Sequence, residues 1–204
     1  RQRQMCIRDR YSTEMMLSDI VTVTSVGNDT RFEFQRYDDS PLIKLTAGNV
    51  DLPEKIVNNR VLLRYYPESG EPYVSGAIKV VGLTLINNDT TRIRPIEKYN
   101  WTATPVFLNS IWRTGNYLNL RMKVEYSEKP RQFGLVVDSL TLKNPQPEVY
   151  LVHDKQGQPE NYMMETYASF DMTNVWSLPT CQSIKVHVND INLKKDVYIF
   201  TKKQ

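Results

Sequence analysis

Tyr117-Leu-Asn-Leu-Arg-Met-Lys-Val-Glu-Tyr126 decides the fold class. Leu118, Leu120, Met122 and Val124 alternate with Asn119, Arg121, Lys123 and Glu125, a period of two. Successive side chains of a strand point to opposite faces, so the pattern predicts one buried and one wet face. Ser183–Asn189 repeats it, with Ile184, Val186 and Val188 inward and Lys185 and His187 outward. Lys195–Lys202, carrying Val197, Tyr198, Ile199 and Phe200, reads as the closing strand. Upstream, the pairs Val21/Val23, Phe32/Phe34, Ile43/Leu45, Val61/Leu63 and Ile78/Val80 mark five short strands. Turn-rich stretches part them: Gly27-Asn-Asp29, Asp38-Asp-Ser-Pro41 and Pro67-Glu-Ser-Gly-Glu-Pro72. No run of a dozen residues keeps helical spacing. An all-β chain is expected.

The 204 residues suffice for one large domain or two small ones. A boundary is expected near Lys98–Thr104, because Asn87-Asn-Asp-Thr-Thr91 is polar and Pro95 and Pro105 discourage pairing across the stretch. The roughly five strands of residues 11–100 suit a small OB-like barrel, and the roughly seven of residues 101–204 a β-sandwich. Hydrophobic residues make up 40% and charged residues 24%, as in ordinary globular proteins. The longest apolar run, Val80–Ile86, is interrupted by Gly82 and Thr84, far short of a membrane-spanning helix.

The formal charge is +3, but the first ten residues hold four Arg and one Asp. Setting them aside leaves equal numbers of cationic and acidic side chains, with neither half of one sign. Met5-Cys-Ile-Arg-Asp-Arg10 resembles translated sequencing-adapter read-through, so residues 1–10 are expected to be non-native and stay out of the fold reading. Nucleic acid is then not an expected partner, since phosphate neutralisation needs a basic patch. The native start is expected to be missing, which leaves export undecided by this stretch. Without Cys6, Cys181 is the single cysteine and no disulfide framework is expected.

Chemistry-bearing constellations are sparse. A nucleophile–His–acid arrangement has only His153, in Tyr150-Leu-Val-His-Asp154, or His187 to draw on. Asp38-Asp39, Asn28-Asp29 and Asp154-Lys-Gln-Gly157 read as turns whose carboxylates bond their own backbone. Asp138 and Asp171 end strands, with nothing to pair them. No Gly-x-Ser-x-Gly elbow, phosphate loop or metal-ligand spacing occurs. No catalytic residue, cofactor or metal is therefore expected. Aromatics are plentiful, at 12 Tyr, 3 Trp and 6 Phe. Tyr65, Tyr66 and Tyr73 surround a hairpin, and adjacent Tyr65 and Tyr66 must face opposite ways, so at most one is core. Trp112, beside Ile111, is expected in the core; Trp101 and Trp176 lie in loop-like stretches open to solvent.

Phe107-Leu-Asn-Ser-Ile-Trp112, Gly115-Asn-Tyr-Leu-Asn-Leu120 and Phe133-Gly-Leu-Val-Val-Asp138 resemble the NigD-like family of Bacteroides-group bacteria. Glu148-Val-Tyr-Leu-Val-His-Asp154 and Tyr167-Ala-Ser-Phe-Asp171 keep that family's order, with a looser fit at Arg60-Val-Leu-Leu-Arg-Tyr-Tyr66 and Ala77-Ile-Lys-Val80. The resemblance implies an N-terminal OB-like barrel and a C-terminal immunoglobulin-like β-sandwich. It also implies a lipid-anchored protein of the cell envelope, non-catalytic and acting by binding. The implied role is bacteriocin immunity, with glycan binding at the outer surface as the alternative. The ligand is an unknown protein or glycan, and the membrane is reached only through a lipid anchor missing from this chain. Cys6, with basic neighbours and no lipobox, is not assigned as the anchor. Asp89-Thr90-Thr91 and Asp138-Ser139-Leu140 match the Asp-Ser/Thr-apolar O-glycosylation signal of this bacterial group, with Thr90 the better placed in a polar loop.

Overall fold

The computed structural model describes residues 16–98, 104–128, 131–154 and 162–203. Residues 1–10 with Cys6, Trp101, residues 99–103 of the expected boundary and the turn after Asp154 lie outside them. The chain forms two compact units that divide between Ile86 and Asn87.

The first unit is a closed barrel of β1 (Leu17–Ser25), β2 (Thr30–Phe34), β3 (Ile43–Ala47), β4 (Arg60–Pro67) and β5 (Gly76–Leu85). Its order is β1-β2-β3-β5-β4, with β4 returning to pair with β1. Every pairing is antiparallel except β3 with β5, where Leu45 lies opposite Gly76. This is the five-stranded Greek-key barrel of the OB-fold. The alternating pairs named above turn inward: Val21, Val23, Phe32, Phe34, Leu45, Val61, Leu63 and Ile78 form one core, joined by Ile56 from the turn Glu54–Ile56. Closing so small a barrel requires sharply bent strands, and register shifts occur at Val23/Ser25 and Arg64/Tyr65. Tyr65 is buried and donates to Asp19 Oδ2 at 2.9 Å, while Tyr66 is half-buried, so only one of the pair is core. Burial raises the Asp19 carboxyl above its ordinary range against the lowering hydrogen bond from Tyr65.

The second unit stacks two sheets. β6 (Asn87–Thr90), β12 (Met163–Asp171), β9 (Tyr117–Glu125) and β8 (Phe107–Thr114) form one, in that order. The other runs β14 (Val197–Thr201), β13 (Ser183–His187), β11 (Glu148–Asp154), β10 (Gln132–Asp138), β7 (Arg92–Arg94). Three pairings are parallel: β6 with β12, β7 with β10 and β11 with β13. Asn87–Thr91, expected as a polar loop of the barrel domain, therefore carries β6, and with β7 just after it this stretch supplies an edge strand to each sheet of the sandwich. Leu118, Leu120 and Met122 meet Leu135, Val137, Val149, Phe170, Ile184 and Val186 in a dry core. β8 and β9 form a hairpin around Gly115, whose φ of 58° at the first central position suits a two-residue type II′ turn.

The wet face of β9 needs one correction. Arg121 is exposed and pairs with Glu165, but Asn119 is fully buried. Its amide donates to Thr114 Oγ1 at 2.8 Å and its oxygen accepts from Ser169 Oγ at 2.7 Å. A buried amide is tolerated when its partners are in place. Two tryptophans also differ from expectation. Trp112 is only half-buried, and Trp176 is buried in the single helical turn Thr173–Trp176, with the Arg113 guanidinium 4.5 Å from its ring centroid.

Candidate binding site at the open end of the sandwich

β6 covers β12 only from Ala168 to Asp171. Over Met163–Tyr167, β12 has β9 on one side and no described strand on the other. The inward parity of both strands nevertheless continues: Val124 and Tyr126 follow Met122, and Thr166 and Met164 precede Ala168. Met164 is half exposed, in the stretch of β12 that β6 does not reach. The result is an open cavity of about 230 Å³. Its apolar walls are Val124, Phe133, Met164 and the ring of Tyr126; its polar rim is Asn87, Glu125, Ser127, Arg131 and Thr166.

Arg131 is the unusual member. Its side chain is only 5% exposed. Nε donates to the Glu125 carbonyl at 2.8 Å, and one terminal nitrogen lies 3.8 Å from Glu125 Oε2, beyond hydrogen-bond range. That nitrogen is buried without a hydrogen-bond partner. A charged donor left so is costly, which marks the position as one where an acceptor belongs. Beside it, the Tyr126 ring stacks on Tyr162 at 5.2 Å between centroids and 6° between planes, and Tyr162 stands well out into solvent.

His153 lies on the strand behind. It stacks on Phe133 at 4.5 Å and 6°, and Nδ1 donates to the Thr104 carbonyl at 3.2 Å. Burial pulls its ring down from 6.5 to about 4, and the Arg131 cation adds to that pull. It is therefore a neutral, packed ring. His187 is equally engaged, stacked on Tyr150 and 2.6 Å from Glu148 Oε2. Among the described residues, the hydrogen bonds of the two rings go to the Thr104 carbonyl and the Glu148 carboxylate, and to no hydroxyl or thiol. Cys181 is buried and free, and burial raises its thiol. Among the described residues no group of three His, Cys, Asp or Glu side chains is placed to hold a metal. Nor is any described helix long and apolar enough to cross a membrane.

The strand-end carboxylates serve the backbone. Asp138 Oδ1 accepts from Leu140 N, and Asp171 Oδ1 from Thr173 N. Asp38 adopts φ 37° in its turn, which Ser40 Oγ ties to Arg36 N and Tyr37 N. Thr90 is exposed, on β6 opposite Asp171 and not in a loop, and borders a shallow depression with Arg92, Arg94 and Asn174. Asp89 is engaged there: Oδ1 accepts from Thr90 N, and Oδ2 pairs with Arg92 Nε at 3.1 Å. The open cavity was not foreseen. Its one signal was the inward parity that carries on through Tyr126 past the last charged residue of β9.

An OB barrel followed by a two-sheet sandwich, with one open-ended polar-aromatic cavity in the sandwich, defines a class of two-unit β protein. The chain belongs to the NigD-like family, whose C-terminal beta sandwich domain matches residues 93–202. Solved structures share the fold across both units. A protein of unknown function from Bacteroides vulgatus is similar at TM-score 0.67 and 20% identity, over 93% of this chain and 92% of that one. A NigD-like immunity protein from Bacteroides caccae is similar at TM-score 0.63 and 21% identity, over 90% and 91%. A lipoprotein candidate from Bacteroides fragilis is similar at TM-score 0.64 and 13% identity, over 93% and 99%. At such identities the likeness is one of fold. No curated protein matches the chain.

Proposed function

We propose that this protein is a non-catalytic component of the cell envelope that acts by binding, as an immunity-type protein. The observation that carries the binding reading is the fate of the two histidines, one packed and neutral, the other committed to Glu148. Acid–base chemistry at neutral pH most often relies on such a ring, free to reach substrate. Support for immunity and for the envelope comes from family membership and from the immunity protein and lipoprotein candidate that share the fold. The test is expression behind an export signal in a bacteriocin-sensitive Bacteroides strain. Survival of a toxin dose that kills the parent strain is expected, and equal killing overturns the immunity role. Glycan binding at the outer surface is the second reading, favoured by the cavity beside Arg131 and Tyr126. Retention on a polysaccharide gel is its test. An envelope location also exposes Thr90 to O-glycosylation. The exported chain is then heavier than its sequence mass, and Thr90→Ala removes the excess.

A further inference from the structure

We infer that the cavity beside Arg131 is a subsite for one uncharged sugar ring, held through neighbouring hydroxyls by Arg131 and Glu125. This deepens the glycan reading above and rests on it. Size comes first. With about 30 Å³ per water in the liquid, a cavity of about 230 Å³ holds roughly eight waters, and so suits a single ring and not a chain. Charge comes next. The buried Arg131 nitrogen lacks an acceptor, yet the Glu125 carboxylate stands 3.8 Å from it. An anion offered to Arg131 meets that carboxylate and is repelled. A hydroxyl is donor and acceptor at once, so one hydroxyl accepts from Arg131 while its neighbour donates to Glu125. The ligand then needs no charge of its own. The walls complete the match, since Tyr126 and Phe133 offer ring surface to the apolar C–H face of a sugar. The Tyr126–Tyr162 stack holds the first of these rings in place.

The experiment is a heteronuclear NMR titration of the full chain, following the Arg131 Nε–H and the Tyr126 amide. The probes are the methyl glycosides of glucose, galactose and mannose, with D-glucuronate as the anionic counterpart. Saturable shifts at both signals are expected with at least one neutral glycoside. Glu125→Gln keeps the shape and removes the charge; it is expected to weaken that binding about tenfold, the loss of one charge-assisted hydrogen bond. An unchanged spectrum outside the cavity shows that the variant is folded. Three results overturn the subsite: no shift with any neutral glycoside; glucuronate binding to the parent chain more tightly than every neutral glycoside; or glycoside shifts that map away from Arg131. The last leaves the glycan reading standing, whereas a chain that no polysaccharide gel retains removes that reading itself.

Discussion

His153 carries a cost that depends on pH. Folding buries its ring against Phe133, and that burial depresses the folded value to about 4 from 6.5, against the opposing pull of the Nδ1–H bond to the Thr104 carbonyl. As pH falls below 6.5 the denatured chain takes up the proton first, so the stabilisation present above that pH is lost progressively down to about 4. The loss amounts to about 3 kcal/mol. Urea melts across this window are expected to show it, and His153→Gln to remove the slope while adding a constant packing cost. Parallel curves for the two proteins contradict the assignment. Asp19 leans the other way: its raised carboxyl disfavours the charged form in the barrel. Asp19→Asn keeps an acceptor for Tyr65 and is expected to raise the melting temperature at neutral pH.

Among the elements, β8 shows how an outer strand is finished. Asp190 reaches across to it: Oδ1 accepts from Leu108 N and Asn192 N, Oδ2 from Leu193 N, and Asn192 Nδ2 donates to Leu108 O. The loop thus covers backbone groups that otherwise stand open to a foreign strand. Asp190→Ala strips three donors of their acceptor, at a cost of about 2–4 kcal/mol; a urea midpoint within error of the parent refutes that role. Sequence alternation was a sound guide here only where side chains carried the pattern. β9, β13 and the five barrel strands were legible because each presents apolar residues at period two. β6 was not, since Asn87-Asn-Asp-Thr90 has no apolar face and is a strand through its backbone pairing with β12. Asn119 misled for the converse reason: periodicity cannot distinguish an amide satisfied by Thr114 and Ser169 from one satisfied by water. Trp176 was hidden by a helical turn too short to leave a period.

Across the whole molecule, the excess of positive charge lies in residues 1–10. Outside residues 1–10 the cationic and acidic side chains are equal in number, so a chain lacking those residues is expected to focus near neutrality and to lose retention on a cation exchanger. Continued tight retention points to a concentrated basic face instead. The two-unit architecture was readable from strand number and spacing, and the cavity was not. An opening between sheets depends on where a distant edge strand begins, and Asn87 lies far in sequence from the Met164 it leaves uncovered.

The polar character of β6 has a consequence for how the chain is made. All five barrel strands lie between Leu17 and Leu85, so each has its neighbours once that stretch has emerged during synthesis. β6 follows at once, but its partner β12 is not complete until Asp171. For that interval it is a strand with nothing to pair with, the condition under which nascent chains aggregate. A segment of Asn, Asp and Thr is a poor seed for such assemblies, being hydrophilic and charged. The same lack of apolar pattern that conceals β6 from the reader of the sequence protects it while it waits.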